Sequence, residues 1–196
     1  MANRNTQGFG LVAAGTLGQT PATSGQGKYK IDAGYGTTIY QNGAVASSAG
    51  YIIDGQTTDA PILGVLNGIF YNAATTLKPT FANFYKQPIT PANSEDIDAF
   101  VFDNPQQQYV VATDDAVAQA GYLETYDMNT SAGSDTTGKS SATLDIADTS
   151  ADAASFRLLR SAEDPENDEN AAFRSVVVCI NPVSYTHLTL PTRSYV

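Results

Sequence analysis

The sequence predicts an all-β protein: a single β-barrel or sandwich domain with an extended N-terminal arm and at most one short helix. From Lys28 onward, short runs rich in β-branched and aromatic residues alternate with Gly, Asn, Asp and Pro, which is typical of strands joined by turns. A single short segment has the composition of a helix, and many strands with so little helix are typical of a barrel or sandwich. A chain of 196 residues buries about 70% of its unfolded surface on folding, so such a domain needs neither disulfide nor metal.

The first 28 residues differ from the rest of the chain. They are rich in Gly, Thr, Gln, Ala and Ser, and their apolar anchors are Phe9, Leu11, Val12 and Leu17. This composition predicts an extended arm. Spaced apolar side chains suit a segment that orders on a partner surface, and a leader without structure is the alternative.

The predicted β domain covers residues 29–181. Runs with strand character are residues 29–32, 37–40, 43–46, 51–53, 62–71, 80–85, 97–102, 108–112, 142–146, 155–160 and 174–180. The run LGVLNGIFY is almost continuously apolar apart from Gly64 and Gly68. It predicts a central strand buried on both faces, with bulges or close backbone approach at the glycines.

Turns and one helix connect these strands. The segment QNG at residues 41–43 predicts a tight turn, because Asn-Gly tolerates positive φ. The segment FDNP predicts another, in which Pro105 restricts φ and Asp103 caps the local backbone. The helical candidate is DDAVAQAGYLE, from Asp114 to Glu124, with two acids at its start and with Val117, Ala120 and Leu123 facing inward.

Two loops are expected on the surface. NTSAGSDTTGKSS at residues 129–141 is polar, and its resemblance to a phosphate-binding loop fails because a polar segment precedes it and no helix follows. SAEDPENDEN at residues 161–170 is acidic and is expected to be a solvated face. Calcium binding is its alternative, although the ligand spacing is wrong. The candidate ligands are Asp164, Glu166, Asn167, Asp168 and Glu169.

Catalytic side chains are scarce, which favours a binding function over an enzyme. The chain has one His, His187, one Cys, Cys179, and no Trp. Cys179 lies in the apolar run VVVCI and is expected to be a small buried side chain. The sequence therefore predicts no catalytic residue, no metal and no cofactor.

Grouped carboxylates are the remaining catalytic candidates. Paired carboxylates hydrolyse glycosides when they are held at a defined separation, but neighbours on a strand point to opposite faces. Adjacency in sequence therefore does not predict an active site. The groups are Asp54 with Asp59, Glu95 with Asp96 and Asp98, Asp114 with Asp115, and the loop from Glu163 to Glu169.

The charge of the chain argues against nucleic acid as a partner, and its apolar pattern argues against a membrane. Ten basic and twenty acidic residues give a net charge of −10, which repels nucleic acid phosphates, and no Lys/Arg cluster offsets it. The N-terminus lacks the apolar run of a signal peptide, and no apolar stretch reaches the length of a membrane span. We expect neither nucleic acid nor membrane binding.

The order of several segments resembles a family of virion structural proteins of tailed bacteriophages, common in marine phages and similar to head decoration (cement) proteins. The matching segments are MANRNTQGFGLVAAGTLG, GKYKIDAGYGTTIYQNGAV, LGVLNGIFYNAATTLKPTFANFY, DIDAFVFDNPQQQYVV, TTGKSSATLD, FRLLRSAEDPEN and VVVCIN. The resemblance implies a β-rich capsid-surface protein of the virion, without an active site, that reinforces the assembled shell.

The partners expected from the resemblance are the phage major capsid protein and further copies of the chain, with a homotrimer favoured because closed symmetry matches the lattice. Strand edges or the arm would contact the capsid, with Phe9, Leu11, Val12 and Leu17 as anchors. Deleting residues 1–20 is expected to weaken capsid binding while the domain stays folded. The alternative function is a head-fibre or tail adhesin that binds a host surface glycan.

The C-terminal segment SYTHLTLPTRSYV does not read like the chain before it. From Ser184 to Val196 it resembles translated sequencing-adapter read-through. Residues 182–196 are therefore expected to be a non-native tail, and a genuine last strand is the alternative.

Overall fold

Two antiparallel β-sheets make up the fold. The computed structural model describes residues 3, 5–17, 25–56, 61–129, 133–147, 155–163, 165–168 and 170–181. Within these ranges the chain contains eleven strands and two short 3-10 turns, and no α-helix. The arrangement is sandwich-like, so the predicted all-β class is confirmed. The predicted tail, residues 182–196, lies outside the described residues.

The strands form a five-stranded sheet A and a six-stranded sheet B. Sheet A has the order β1-β8-β11-β10-β9, and sheet B has the order β2-β7-β5-β3-β4 with β6 paired to β5. The strands are β1 Val12–Thr16, β2 Gly27–Ile31, β3 Ala44–Ser48, β4 Tyr51–Asp54, β5 Ile62–Asn72, β6 Pro79–Ala82, β7 Ile97–Phe102, β8 Gln107–Ala112, β9 Thr125–Tyr126, β10 Phe156–Ser161 and β11 Ser175–Ile180.

The long strand β5 is the centre of sheet B. Its first half pairs with β3, its second half pairs with β6, and β7 runs along its other side. At Gly64 a Cβ atom would lie 2.2 Å from the carbonyl oxygen of Phe102, so the strands approach too closely for a side chain. The register against β7 shifts between Leu66 and Gly68. Both expectations for the glycines are confirmed.

Sheet B carries a hydrophobic core on each face. The first core lies between the sheets and combines residues of sheet A, such as Tyr109, with residues of sheet B, such as Val65. The second core lies on the opposite face of sheet B and includes Leu66, Ile97 and Tyr85. Because Val65 and Leu66 are neighbours and are both fully buried, β5 is buried on both faces, as predicted.

The predicted helix at residues 114–124 is wrong. The segment contains one 3-10 turn, Gln119–Gly121, and Leu123 is 68% exposed instead of facing inward. Tertiary contacts use the backbone that a helix would need: the carbonyl oxygen of Val117 accepts a hydrogen bond from Arg174 (3.3 Å), and the N–H of Leu123 donates to Leu158 (2.8 Å). These long-range bonds override a short apolar pattern.

The predicted strands at residues 37–40 and 142–146 are isolated bridges in the described chain. Ile39 bridges Tyr85, and Leu144 bridges both Thr113 and Met128, yet Ile39 and Leu144 are both fully buried. Their apolar patterns correctly indicated burial, but the segments around them lack a continuous strand partner. In contrast, β7 matches the predicted run at residues 97–102 at both ends.

The predicted turns are present, with one change of capping residue. In the QNG turn, the N–H of Gly43 donates to the carbonyl oxygen of Tyr40 (3.0 Å), and Asn42 has φ 64°. In the second turn the side chain of Asn104 accepts from the N–H of Gln106 (2.9 Å). Asp103, the expected cap, instead accepts a hydrogen bond from the Tyr29 hydroxyl (2.6 Å).

Part of the predicted arm belongs to the sandwich. Residues of β1 pair with β8 at the edge of sheet A, and Leu11 is fully buried in the first core. Further toward the N-terminus, the Asn3 amide donates to the carbonyl oxygen of Ala172 (2.9 Å), and Asn5 donates to the Ser175 hydroxyl (2.9 Å). The described residues of the predicted arm up to Leu17 therefore fold against sheet A.

Candidate functional site

The four predicted anchors of the arm have different exposures. Leu11 is fully buried in the core, so it stabilises the chain itself and is not accessible to a capsid. Phe9 is half-buried, whereas Val12 and Leu17 are 40% and 44% exposed. A bulge between residues 13 and 15 interrupts β1, which limits uncontrolled edge-to-edge pairing. Because they are exposed, the side chains of Val12 and Leu17 can contact another protein at the edge of sheet A.

A row of side chains crosses four strands of sheet B. Phe81 on β6 is opposite Phe70 on β5, Phe70 is opposite Asp98 on β7, and Asp98 is opposite Lys30 on β2. Residues directly opposite in a sheet share a face. The ring centroids of Phe70 and Phe81 are 4.7 Å apart, and Phe81 is 74% exposed. The row is therefore aromatic at one end and ionic at the other.

The ionic end is a three-residue cluster. Asp98 Oδ2 lies 2.8 Å from Lys28 Nζ, and Asp98 Oδ1 lies 2.6 Å from Lys30 Nζ. Burial raises the pKa of Asp98, but its hydrogen bonds and charge interactions with the two ammonium groups outweigh burial and hold the pKa below its ordinary value. Asp98 therefore stays ionised at neutral pH. A glycosidase acid needs a raised pKa, so Asp98 does not fit that role.

An open cleft of about 380 Å³ lies beside this row. This volume falls within the range of small-molecule sites. Its polar rim includes Asp96, which accepts a hydrogen bond from the Tyr51 hydroxyl (3.3 Å) and whose charge raises the pKa of Tyr51. The neighbouring Glu95 is exposed. The lining residues are Lys30, Phe70, Tyr71, Asn72, Pro91, Glu95, Asp96 and Asp98.

The sequence indicated only part of this cleft. It grouped Glu95, Asp96 and Asp98, and the structure does bring these three carboxylates to one cleft. It missed Lys30 and Phe70, which come from two other strands. The alternation of Lys28 and Lys30 was a signal that one face of β2 is basic, but only the strand register reveals the opposing Asp98.

The other carboxylate groups hold the backbone. Asp114 accepts a hydrogen bond from the N–H of Ile146 (2.9 Å), and Asp115 accepts one from the N–H of Ala116 (2.7 Å). Asp54 is 7% exposed, and Asp59 lies outside the described residues. Asp114 thus ties its segment to the distant Ile146, whereas Asp115 bonds the backbone of its own turn.

The acidic loop is fastened by Asn167. Its amide nitrogen donates to Ser175 O (2.8 Å), Ala162 O (3.1 Å) and Ser161 Oγ (3.0 Å). Its amide oxygen accepts from the N–H of Ser175 (2.9 Å). Asn167, one of the predicted calcium ligands, therefore ties the loop to β11 and does not present its side chain to a cation.

Within the described ranges, no group of three or more His, Cys, Asp or Glu side chains is placed to hold a metal ion. Asp164 and Glu169, two of the predicted calcium ligands, lie outside these ranges. Across the part of the chain that the structure describes, no helix has the length and apolar character needed to cross a membrane.

Cys179 and His187 are the single cysteine and the single histidine of the chain. Cys179 is 5% exposed, and burial raises the pKa of its thiol, which disfavours the reactive thiolate. The prediction of a buried apolar cysteine is confirmed. His187 lies outside the described residues.

A second polar cluster holds the loop that follows residue 133. The Tyr40 hydroxyl donates to Asp135 Oδ1 (2.7 Å), and Lys86 Nζ lies 3.0 Å from Asp135 Oδ2. Tyr40 also stacks on Phe84, with ring centroids 5.7 Å apart. These contacts hold the loop against Tyr40 and Lys86, so Asp135 has a structural role.

Two surfaces therefore stand out in the described chain: the apolar edge of β1, and the aromatic and acidic cleft of sheet B. Neither is a recognisable catalytic centre. No family model, curated protein or solved structure matches the chain.

Proposed function

We propose that the protein is a capsid decoration module, which binds the outer surface of a phage capsid and stabilises the assembled shell without catalysing a reaction. The sequence resemblance supports the virion context. The structural observation that carries the proposal is that β1 is an edge strand, with an exposed apolar side chain at its start, Val12, and another directly after its end, Leu17. Edge strands and apolar side chains are common means of attachment to another protein.

The mechanism is linkage between binding and assembly. A protein that binds the assembled shell more tightly than the dissociated subunits shifts the equilibrium toward the shell by mass action. Many copies on one capsid add their contributions. We propose a homotrimer at local three-fold positions, because a closed cyclic oligomer matches the symmetry of such a lattice.

The negative net charge of the chain supports attachment to the capsid surface and not to the genome. The net charge of −10 keeps the free protein soluble and disfavours random self-association. It also disfavours binding to the packaged genome, whose phosphates carry the same sign. The edge from Val12 to Leu17 carries no charged side chain of its own, so contact there does not desolvate a charge on β1.

Binding to purified capsids that lack the protein tests the proposal. The double variant Val12→Asp with Leu17→Asp places two charges on the β1 edge and should lower capsid occupancy at least about tenfold, a loss of roughly 1.4 kcal/mol per site. The control is Leu123→Asp, because Leu123 is 68% exposed and is remote from β1 in the chain.

Occupancy is measured by quantitative gel analysis of sedimented capsids, and shell stability by the temperature at which the capsids release DNA. Wild-type protein should raise that temperature, and the double variant should not. A wild-type protein that fails to sediment with capsids would overturn the proposal, and equal binding of the double variant would overturn the role of the β1 edge.

A host-binding adhesin is the second candidate. The observation that favours it is the cleft of sheet B, where aromatic rings stand beside carboxylates and an amide. As an adhesin the protein would attach virions to host cells, so excess free protein should compete with virions for adsorption. Unchanged adsorption in that competition would remove this candidate without affecting the capsid proposal.

A further inference from the structure

Phe70 lines the cleft, and Phe81 packs against it and extends this apolar surface into water. Phe81 is 74% exposed, and its ring touches that of Phe70 across two hydrogen-bonded strands. Because the two rings already pack against each other, each loses less side-chain freedom when a ligand lies against them. Flat apolar rings of this kind can pack against the C–H face of a sugar ring.

The rim of the cleft supplies hydrogen-bonding groups next to that surface. Glu95 and Asp96 offer carboxylate oxygens, and Asn72 offers an amide that both donates and accepts. Each hydroxyl of a sugar is also both donor and acceptor. Bonds from hydroxyls to carboxylates are stronger than neutral ones. A ligand with many hydroxyls therefore matches the rim better than an apolar one.

Charge narrows the ligand class. The ammonium group of Lys30 lies 2.6 Å from Asp98, so this positive charge is already paired within the protein. Glu95 and Asp96 then give the cleft an excess of negative charge. Phosphate, sulfate and carboxylate groups would meet like charge, and Lys30, the cation among the described residues that line the cleft, is already paired with Asp98. An uncharged ligand avoids this cost.

We propose that this cleft binds a neutral carbohydrate, with its ring packed on Phe70 and Phe81 and its hydroxyls bound by Glu95, Asp96 and Asn72. The inference rests on the adhesin candidate only for its biological use, because a capsid decoration module can carry the same cleft. Direct binding of sugar to the full-length chain tests the cleft assignment independently of that use.

The test is a binding screen of the full-length protein against neutral hexose and N-acetylhexosamine oligosaccharides, with sialylated and sulfated oligosaccharides as the acidic arm. Hits are measured by titration calorimetry. Phe81→Ala should weaken the neutral hit about tenfold, equal to roughly 1.4 kcal/mol. Glu95→Gln should weaken it by a smaller factor, since one charged acceptor becomes neutral.

The matched control is Leu77→Ala, because Leu77 lies in the same β5–β6 hairpin and is 72% exposed, whereas Phe81 packs on Phe70, one of the residues that line the cleft. Circular dichroism verifies that all variants are folded. No neutral hit, preference for acidic sugars, or equal losses in Phe81→Ala and Leu77→Ala would each overturn the inference. Sugar binding without any effect of free protein on virion adsorption would remove the adhesin role and leave the cleft assignment intact.

Discussion

Asp98 shows how much of this protein depends on single side chains that the sequence leaves ambiguous. In the sequence it is one of three acids near residue 97. In the structure it is 8% exposed and lies between two lysines whose side chains are half exposed. Each carboxylate oxygen of Asp98 faces its own ammonium group, Oδ1 that of Lys30 at 2.6 Å and Oδ2 that of Lys28 at 2.8 Å.

The stability of the protein should therefore depend on the ionisation of Asp98. Its folded pKa lies below 3.8, its ordinary value, because the two ammonium groups outweigh burial. The stabilisation is thus present above pH 3.8 and is lost as pH falls through the lower folded pKa. Because both lysines are partly solvated, Asp98→Asn should cost only about 1 kcal/mol at pH 7.

Urea unfolding of wild type and Asp98→Asn at several pH values measures this effect. The two proteins should differ at pH 7 and converge at the acid end, where the wild-type carboxyl is also neutral. Asp115→Asn is a control, since the Asp115 side chain lies at an exposed turn. A difference that persists unchanged into acid would contradict the role of the charge.

At the scale of elements, β5 is the strand that the rest of sheet B depends on. Gly64 faces the Phe102 backbone so closely that an added Cβ would lie 2.2 Å from its carbonyl oxygen. Gly64→Ala should destabilise the fold by about 1–3 kcal/mol through overpacking. The control is Gly36→Ala, where nothing lies within 4 Å of the added Cβ. Equal urea midpoints for the two variants would refute the close approach.

The elements also show where sequence prediction succeeded and failed. Strong apolar runs such as β7 and β11 were predicted within a residue of their bounds. β1 was missed because VAAGT has little strand propensity, and its pairing with β8 comes from residues about 95 positions away in the chain. The helix predicted at residues 114–124 is absent for the same reason, because Arg174 and Leu158, which are distant in sequence, bond backbone groups that a helix would use.

The burial of Leu11 changes how the role of the arm must be tested. Leu11 is fully buried in the first core, and removing a buried Leu side chain usually costs about 2–5 kcal/mol. Deleting residues 1–20 should therefore damage the fold as well as any capsid contact, contrary to the expectation from the sequence. Surface substitutions at Val12 and Leu17 separate the two effects.

At the scale of the whole molecule, the two cores share one sheet and should unfold together. Leu158 is fully buried in the first core and Leu66 in the second. Because Val65 and Leu66 lie side by side on β5 in different cores, neither core can open without disturbing that strand. Leu158→Ala and Leu66→Ala should each cost about 2–5 kcal/mol and shift a single transition.

The measurement is urea unfolding followed by far-UV circular dichroism for the backbone and near-UV circular dichroism for the eleven tyrosines. Coincident curves are expected for wild type and both variants. Leu77→Ala, at an exposed position, should leave the curves unchanged. Two separate transitions, each sensitive to one of the core variants, would show that the cores are independent.

The sequence by itself determined the all-β class, the burial of β5 on both faces, the close approach at its glycines and most strand positions. Alternation and turn residues are local signals, and they act over a few neighbouring residues. Only the tertiary structure decided the place of β1 in sheet A, the irregular form of residues 114–124 and the meeting of Lys30, Asp98 and Phe70 at one cleft. These features depend on strand register between distant segments, which is set by packing of the whole molecule.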